Sequence, residues 1–216
     1  MPESLSLRDV RRRNASTLAG ALLILSILFG AALDRSLPAA VYLLSFWHYS
    51  LYWLAFAFGT THFDVFKRNA IAMKTLSVTA LAFVYLRAPL DAVSLAVIAG
   101  GILLNLRAAQ VLGLDRTYYG HEVAGLPARR ITAFPYSLTS HPMILGNVAA
   151  FGGTLINAPF RAEWWPLASL HVVLNIGLLA MELAGPRHRR AVRIGGGFVL
   201  GGALVGAVFV IARGSP

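Results

Sequence analysis

The stretch DAVSLAVIAGGILLNLRAAQVL, residues 91–112, carries charge only at Asp91 and Arg107. A hydrocarbon core of about 30 Å is crossed by roughly 20 apolar residues in a helix. The stretch therefore reads as a membrane span. Six further segments read the same way, at about 16–33, 38–59, 70–87, 142–158, 164–183 and 194–212. The segment at 142–158 holds Gly146, Gly152 and Gly153 and carries the weakest signal. The expected fold is all-α. It is a polytopic integral membrane bundle of about six to seven transmembrane helices, in a single domain over residues 1–216. Arg11 to Asn14 precede the first apolar run as they would in a signal peptide, but further spans follow, so that run reads as an anchor.

Composition points the same way. The chain is 57% hydrophobic and 13% charged, whereas soluble domains carry about 25% charged residues. It has no cysteine, which excludes disulfides, iron–sulfur clusters and thiolate zinc sites. No metal centre is expected. The net charge is +10, and its distribution decides its meaning. With the N-terminus in the cytosol, fifteen of the 19 basic residues fall on the cytosolic side. Lys67, Arg68 and Lys74 count there, with the connection between the second and third spans. Only Arg35, Arg87, Arg161 and Arg213 fall outside. The basic excess therefore reads as topology and attraction to anionic lipid, and no nucleic-acid partner is expected. Nothing in the sequence sets the oligomeric state.

One connection is unlike the rest. Residues 113–141, GLDRTYYGHEVAGLPARRITAFPYSLTSH, are long, cytosolic in this topology and rich in aromatics. Long connections are more often functional or disordered than structural, and this one is too aromatic for disorder. It ends at His141-Pro142. Proline suits the first position of a helix, so a helix starts there, with Thr139, Ser140 or His141 near the cap. A helix N-terminus attracts anions. Arg129 and Arg130 lie nearby in sequence, and Tyr118, Tyr119, Phe134 and Tyr136 can face a cation.

The spans hold few polar groups. Glu182 is the only acid placed within one, and His171, Asn175 and Glu182 share a helix face. An ionisable group in a span is a functional candidate, although Glu182 can also pair with Arg187 or Arg189 in the headgroup region. Gly101 and Asn105 lie one turn apart, where missing side chains admit another helix or a ligand. The glycine pairs of the last span, Gly197 with Gly201 and Gly202 with Gly206, read as helix packing. His48 and His171 leave a haem-binding or transport protein as an alternative. Together the loop and Glu182 suit a ligand with a carboxylate, an ammonium and a second positive centre, as in S-adenosylmethionine.

The run TYYGHEVAGLPARRITAFPYSLTSHPMILG, residues 117–146, resembles the phosphatidylethanolamine N-methyltransferase family of integral membrane enzymes. The shared elements are Tyr119-Gly120, the run Arg130 to Tyr136, Pro142-Met143 and Gly146. Family members also carry a Gly-x-Gly in the preceding helix and a Glu-Glu pair ending a later one. Ala99-Gly100-Gly101 and Met181-Glu182 stand at those spacings, with Ala99, Met181 and Ile144 as departures. The His-Pro step is also similar to isoprenylcysteine carboxyl methyltransferases of the same superfamily, but Thr139-Ser140-His141 lacks the arginine found there. The similarity covers about residues 95–190 and leaves 194–212 as an added C-terminal span.

The resemblance implies S-adenosylmethionine-dependent methylation of a phospholipid amine at the cytosolic face. Phosphatidylethanolamine and its methylated intermediates, leading to phosphatidylcholine, would be the acceptors. Ala99, Gly101, Gly146 and Glu182 would bind the cofactor from the spans. Tyr119, Gly120, Arg130, Pro135, Tyr136, His141 and Pro142 would bind it from the loop. Tyr118, Phe134 and Asn105 would meet the substrate, and His141, His121 or Glu122 would take the amine proton. A thiol, a small acceptor or a prenylated cysteine carboxylate remains an alternative acceptor. The membrane would be a bacterial inner membrane or that of the endoplasmic reticulum.

Overall fold

The computed structural model describes residues 37–59, 62–184, 194–195 and 201. The expected first span, and nearly all of the last, lie outside the described residues. Among the described residues every regular element is a helix. In order they are α1 (Leu37–Ser45), α2 (Trp47–Phe58), α3 (Phe63–Tyr85), α4 (Ala92–Leu112), α5 (Leu114–Thr117), α6 (Gly120–Ala124), α7 (Pro142–Thr154) and α8 (Ala158–Ala184). Two described helices, α4 and α8, are long and apolar enough to cross a membrane. On α4, Leu95, Val97, Ile102, Leu103 and Leu106 stay exposed, an apolar surface that suits lipid.

Three boundaries differ from expectation. Residues 38–59 do not form one helix: α1 and α2 meet at a break at Phe46. The break is held by hydroxyl groups. Ser45 Oγ donates to Val41 O at 2.7 Å, and Ser77 Oγ of α3 donates to Ser45 O at 2.8 Å. Serine that bonds back onto its own helix competes with the regular ladder. Helix α3 starts at Phe63 rather than near 70. Its first turn carries Asp64 at the positive end of the helix dipole, and Lys67 bridges Asp64 at 3.0 Å and Asp115 at 2.6 Å. Consequently Lys74 sits within the helix and not in a connection. Helix α8 starts at Ala158 rather than 164, because Asn157 Oδ1 accepts from Phe160 N at 3.2 Å before the apolar run begins.

The most extensive contact between helices joins α4 to α7, which run antiparallel. A Cβ added at Gly101 would lie 2.5 Å from Ala150 N and Gly146 O, and one at Gly146 would lie 2.6 Å from Gly101 O. The two backbones touch, which only glycine permits. At one end of this pair Ser94 Oγ donates to Gly153 O at 2.7 Å, and Asp91 caps α4 by accepting from Ser94 N at 2.7 Å. Asn157 Nδ2 donates to Pro89 O at 2.9 Å and ties the connections at that end. The 113–141 connection lies at the other end. Helix α7 also packs on α8, while α1 and α2 pack on α3.

A chain of polar side chains crosses the apolar interior. Asn105 Nδ2 on α4 donates to Asn147 Oδ1 on α7 at 2.8 Å. Asn147 Nδ2 donates to Asn175 Oδ1 on α8 at 3.0 Å. Asn175 Nδ2 donates to Tyr49 OH on α2 at 2.8 Å, and that hydroxyl lies 3.0 Å from His171 Nδ1. Buried amides and hydroxyls require partners, and here four helices supply them to one another. This chain explains most of the polar face of α8. His171 is fully buried and stacks on Phe151 with ring centroids 4.3 Å apart.

Candidate functional site

Where the 113–141 connection folds against α2, α3, α7 and α8, it encloses a cavity of about 790 Å³. Ligand pockets span roughly 300–1,000 Å³, so this one is in the upper part of the range. Its walls are built by local backbone chemistry. Tyr119 adopts a left-handed conformation with φ 62°, the one described non-glycine residue to do so. Such backbone is uncommon outside glycine, and it concentrates at functional sites. Gly120 follows, packed so closely that a Cβ would lie 2.6 Å from Asp115 O. The turn drives the Tyr119 ring inward against Tyr52 and Phe56, with centroids 5.6 and 6.2 Å away.

His141 is the residue before α7, and Pro142 occupies the first turn. The imidazole does not cap the helix. Instead His141 Nδ1 meets Glu182 Oε2, at the end of α8, at 2.8 Å. The backbone N–H of His141 donates to Thr139 Oγ1 at 3.3 Å. An ionised carboxylate can only accept, so in a pair with ionised Glu182 it is Nδ1–H that donates, which leaves Nε2 of a neutral imidazole with the lone pair. Both residues line the cavity. Arg187 and Arg189, the alternative partners of Glu182, lie outside the described residues.

Three tyrosines complete this wall. Burial, and then the Glu182 charge, push the Tyr119 phenol well above its ordinary value. The same two causes, in the same order, push Tyr136 up to about 12. Burial raises Tyr118 as well. All three therefore stay protonated near neutrality, as hydroxyl donors with electron-rich faces. Across the cavity the loop contributes Arg129 and Arg130, both exposed at the mouth. Arg116 Nη2 donates to Pro127 O at 2.8 Å, and His121 Nδ1 lies 2.6 Å from Leu126 O. These two contacts brace the loop.

The structure thus gathers Tyr118, Tyr119, His121, Glu122, Arg130, Tyr136, His141, Pro142 and Glu182 around one space. It leaves other sequence candidates outside the lining. Gly101 and Gly146 face each other, so the room made by their missing side chains is filled by backbone. Asn105 donates to Met143 O at 2.9 Å and to Asn147, and is spent on helix pairing. Ala99 is exposed on α4, Phe134 is 55% exposed, and Pro135 is buried behind the loop after a cis peptide bond. Gly120 acts through its backbone. His48 and His171 lie 6.4 Å apart by ring centroid and also stand outside the lining. The His171 ring stacks on Phe151, its Nδ1 meets the Tyr49 hydroxyl, and its Nε2 has no hydrogen-bond partner among the described residues.

The cavity also takes in residues that sequence reasoning missed. Tyr52 and Lys74 come from α2 and α3, and Asn147 comes from α7. Lys74 had a visible signal, a cation in the apolar run after residue 70. Tyr52 had none, since aromatics fill that whole segment.

Two of the described helices are thus long and apolar enough to cross a membrane, and a polar cavity lies at one end of the helices. Residues 90–184, which comprise α4 to α8, match the phospholipid methyltransferase family, in agreement with the resemblance carried by the 117–146 run. No curated protein and no solved structure matches the chain.

Proposed function

We propose that the chain methylates the amine of a phospholipid headgroup with S-adenosylmethionine, at the cytosolic face. The observation that carries this is the His141–Glu182 pair at 2.8 Å, inside the cavity of the family-matched segment. The lining fits the cofactor chemically. Arg129 and Arg130 can take a carboxylate, and the faces of Tyr118, Tyr119 and Tyr136 can take positive centres. When bound, S-adenosylmethionine supplies an electrophilic methyl group on a sulfonium.

The protein's own work is positioning and proton transfer. A phospholipid ammonium has no lone pair and cannot attack carbon until it is deprotonated. His141 Nε2 accepts that proton. Glu182 holds the imidazole by Nδ1–H and stabilises the imidazolium that forms, the role a carboxylate plays beside a histidine base. This assignment differs from the direct contact between Glu182 and the cofactor that the resemblance implies. The tyrosine faces stabilise the positive charge that develops on the amine nitrogen in each transfer, as the neutral amine takes the methyl group and the sulfonium loses its charge.

The test uses purified full-length protein, labelled S-adenosylmethionine and bilayers containing phosphatidylethanolamine. Label is expected in the mono-, di- and trimethylated lipids. Label in a thiol or a prenylated cysteine, with none in lipid, would replace the acceptor. No label anywhere and no cofactor heat on titration would end the methyltransferase reading for this chain.

A further inference from the structure

Lys74 is a charged cavity residue that the proposed methyl transfer does not use. It is the twelfth residue of α3, well inside the helix, and its neighbours Met73, Thr75 and Leu76 carry no charge. Lys67, seven residues earlier, is held by two carboxylates. Lys74 has no hydrogen bond and no ion pair among the described residues, although it lines the cavity. An unpaired ammonium in a helix bundle is costly unless an anion meets it. The Glu182 carboxylate, which lines the same cavity, is engaged by His141.

We propose that Lys74 is an anion-binding position of the cavity and takes the phosphodiester of the lipid substrate. The inference rests on the phospholipid reading above and adds the residue that recognises the headgroup's negative half. A phosphatidylethanolamine headgroup has two charged ends, an ammonium and a phosphodiester. The cavity offers His141, Glu182 and tyrosine faces for the first and Lys74 for the second. The other anion in the reaction, the cofactor carboxylate, has Arg129 and Arg130 within the family-matched segment. Lys74 comes from α3, outside that segment, together with Tyr52 of α2. Acceptor recognition is therefore built by the chain's own N-terminal helices against a family-type wall. A lysine suits the task as a point charge on a flexible stem that can follow a mobile phosphate.

The experiment compares full-length wild type, Lys74→Met and Lys74→Arg. Each is titrated with dihexanoyl phosphatidylethanolamine, with dihexanoylglycerol as the phosphate-free partner, and with S-adenosylmethionine. The expected result for Lys74→Met is a loss of about tenfold or more in phospholipid affinity. Its affinities for dihexanoylglycerol and S-adenosylmethionine stay within about twofold, and Lys74→Arg recovers most of the loss. Its unliganded melting temperature is expected to stay level or rise, since an unpaired charge is removed. Equal losses for both lipids would reduce Lys74 to packing and overturn the proposal. Loss of S-adenosylmethionine affinity with phospholipid binding intact would assign the ammonium to the cofactor carboxylate and overturn it too. Phosphate-dependent binding through Lys74 without methyl transfer in the wild type would support this inference while sinking the catalytic reading.

Discussion

His141 shows how much one residue's role depends on its neighbour. In sequence it stands before Pro142, where a cap is the plainest expectation. In space its imidazole turns away from α7 to Glu182, 41 residues on. If His141 is the proton acceptor, His141→Ala and His141→Asn both lower the methyl transfer rate by about 10²- to 10³-fold, the usual worth of a general base. S-adenosylmethionine affinity stays within about twofold in both, as removing a base leaves ligand binding largely alone. If His141 instead bound the cofactor, affinity would fall with the rate. Glu182→Gln keeps the shape but lacks the charge that steadies the imidazolium, so it too loses rate, with a smaller change in affinity. Rates from labelled lipid and affinities from calorimetry separate these outcomes. At this scale His141 and Glu182 were legible as titratable groups beside or within apolar runs, and Tyr119 and Tyr136 through the motif run of the long aromatic loop that holds them. The contact that defines their roles was not legible, since nothing local links residues 141 and 182.

The α4–α7 pair is the element on which the site depends. Gly101 and Gly146 were visible as glycines within apolar runs, and such residues admit either a ligand or a helix. The fold decides for the helix. Gly101→Ala would place a methyl 2.5 Å from backbone atoms of α7, which cannot swing aside as a side chain can. The expected cost is about 1–3 kcal/mol, read as a lower unfolding midpoint in detergent. Gly100→Ala is the control: a Cβ there meets nothing within 4 Å. It should leave stability level or raise it by up to about 1 kcal/mol, because alanine favours the helix. Equal losses in the two variants would mean that the close approach does not matter. The boundaries of α1, α2, α3 and α8 were less legible than their existence. Apolar length predicts a span, but Ser77 reaching across to the α1–α2 break, and Asp115 reaching back to Lys67, are tertiary events.

At the scale of the whole molecule, the two ends of the described helices differ in kind. One end is closed by short connections, with Asn157 tied to Pro89. The other carries the 113–141 loop, the cavity and the basic residues Arg116, Arg129 and Arg130. If the charge bias sets orientation, the cavity end faces the cytosol. The chain contains no cysteine, so single substitutions report cleanly. Ala128→Cys, in the loop, should react with an impermeant thiol reagent only from the cytosolic side of sealed vesicles. Leu90→Cys, before α4, should react only from the opposite side. Reaction of both from one side would overturn the expected topology. The sequence by itself determined an apolar, helical, cysteine-free chain with an anomalous loop, because hydrophobic length, charge bias and motif spacing are local properties. It also carried the family resemblance that the match over residues 90–184 bears out. Only the tertiary structure decided which glycines pack and which tyrosines face a cavity. It alone paired His141 with Glu182 and set Lys74 in the lining of the same cavity. Those facts depend on chain segments tens of residues apart meeting in a low-dielectric interior, where each polar group must find a partner or a ligand.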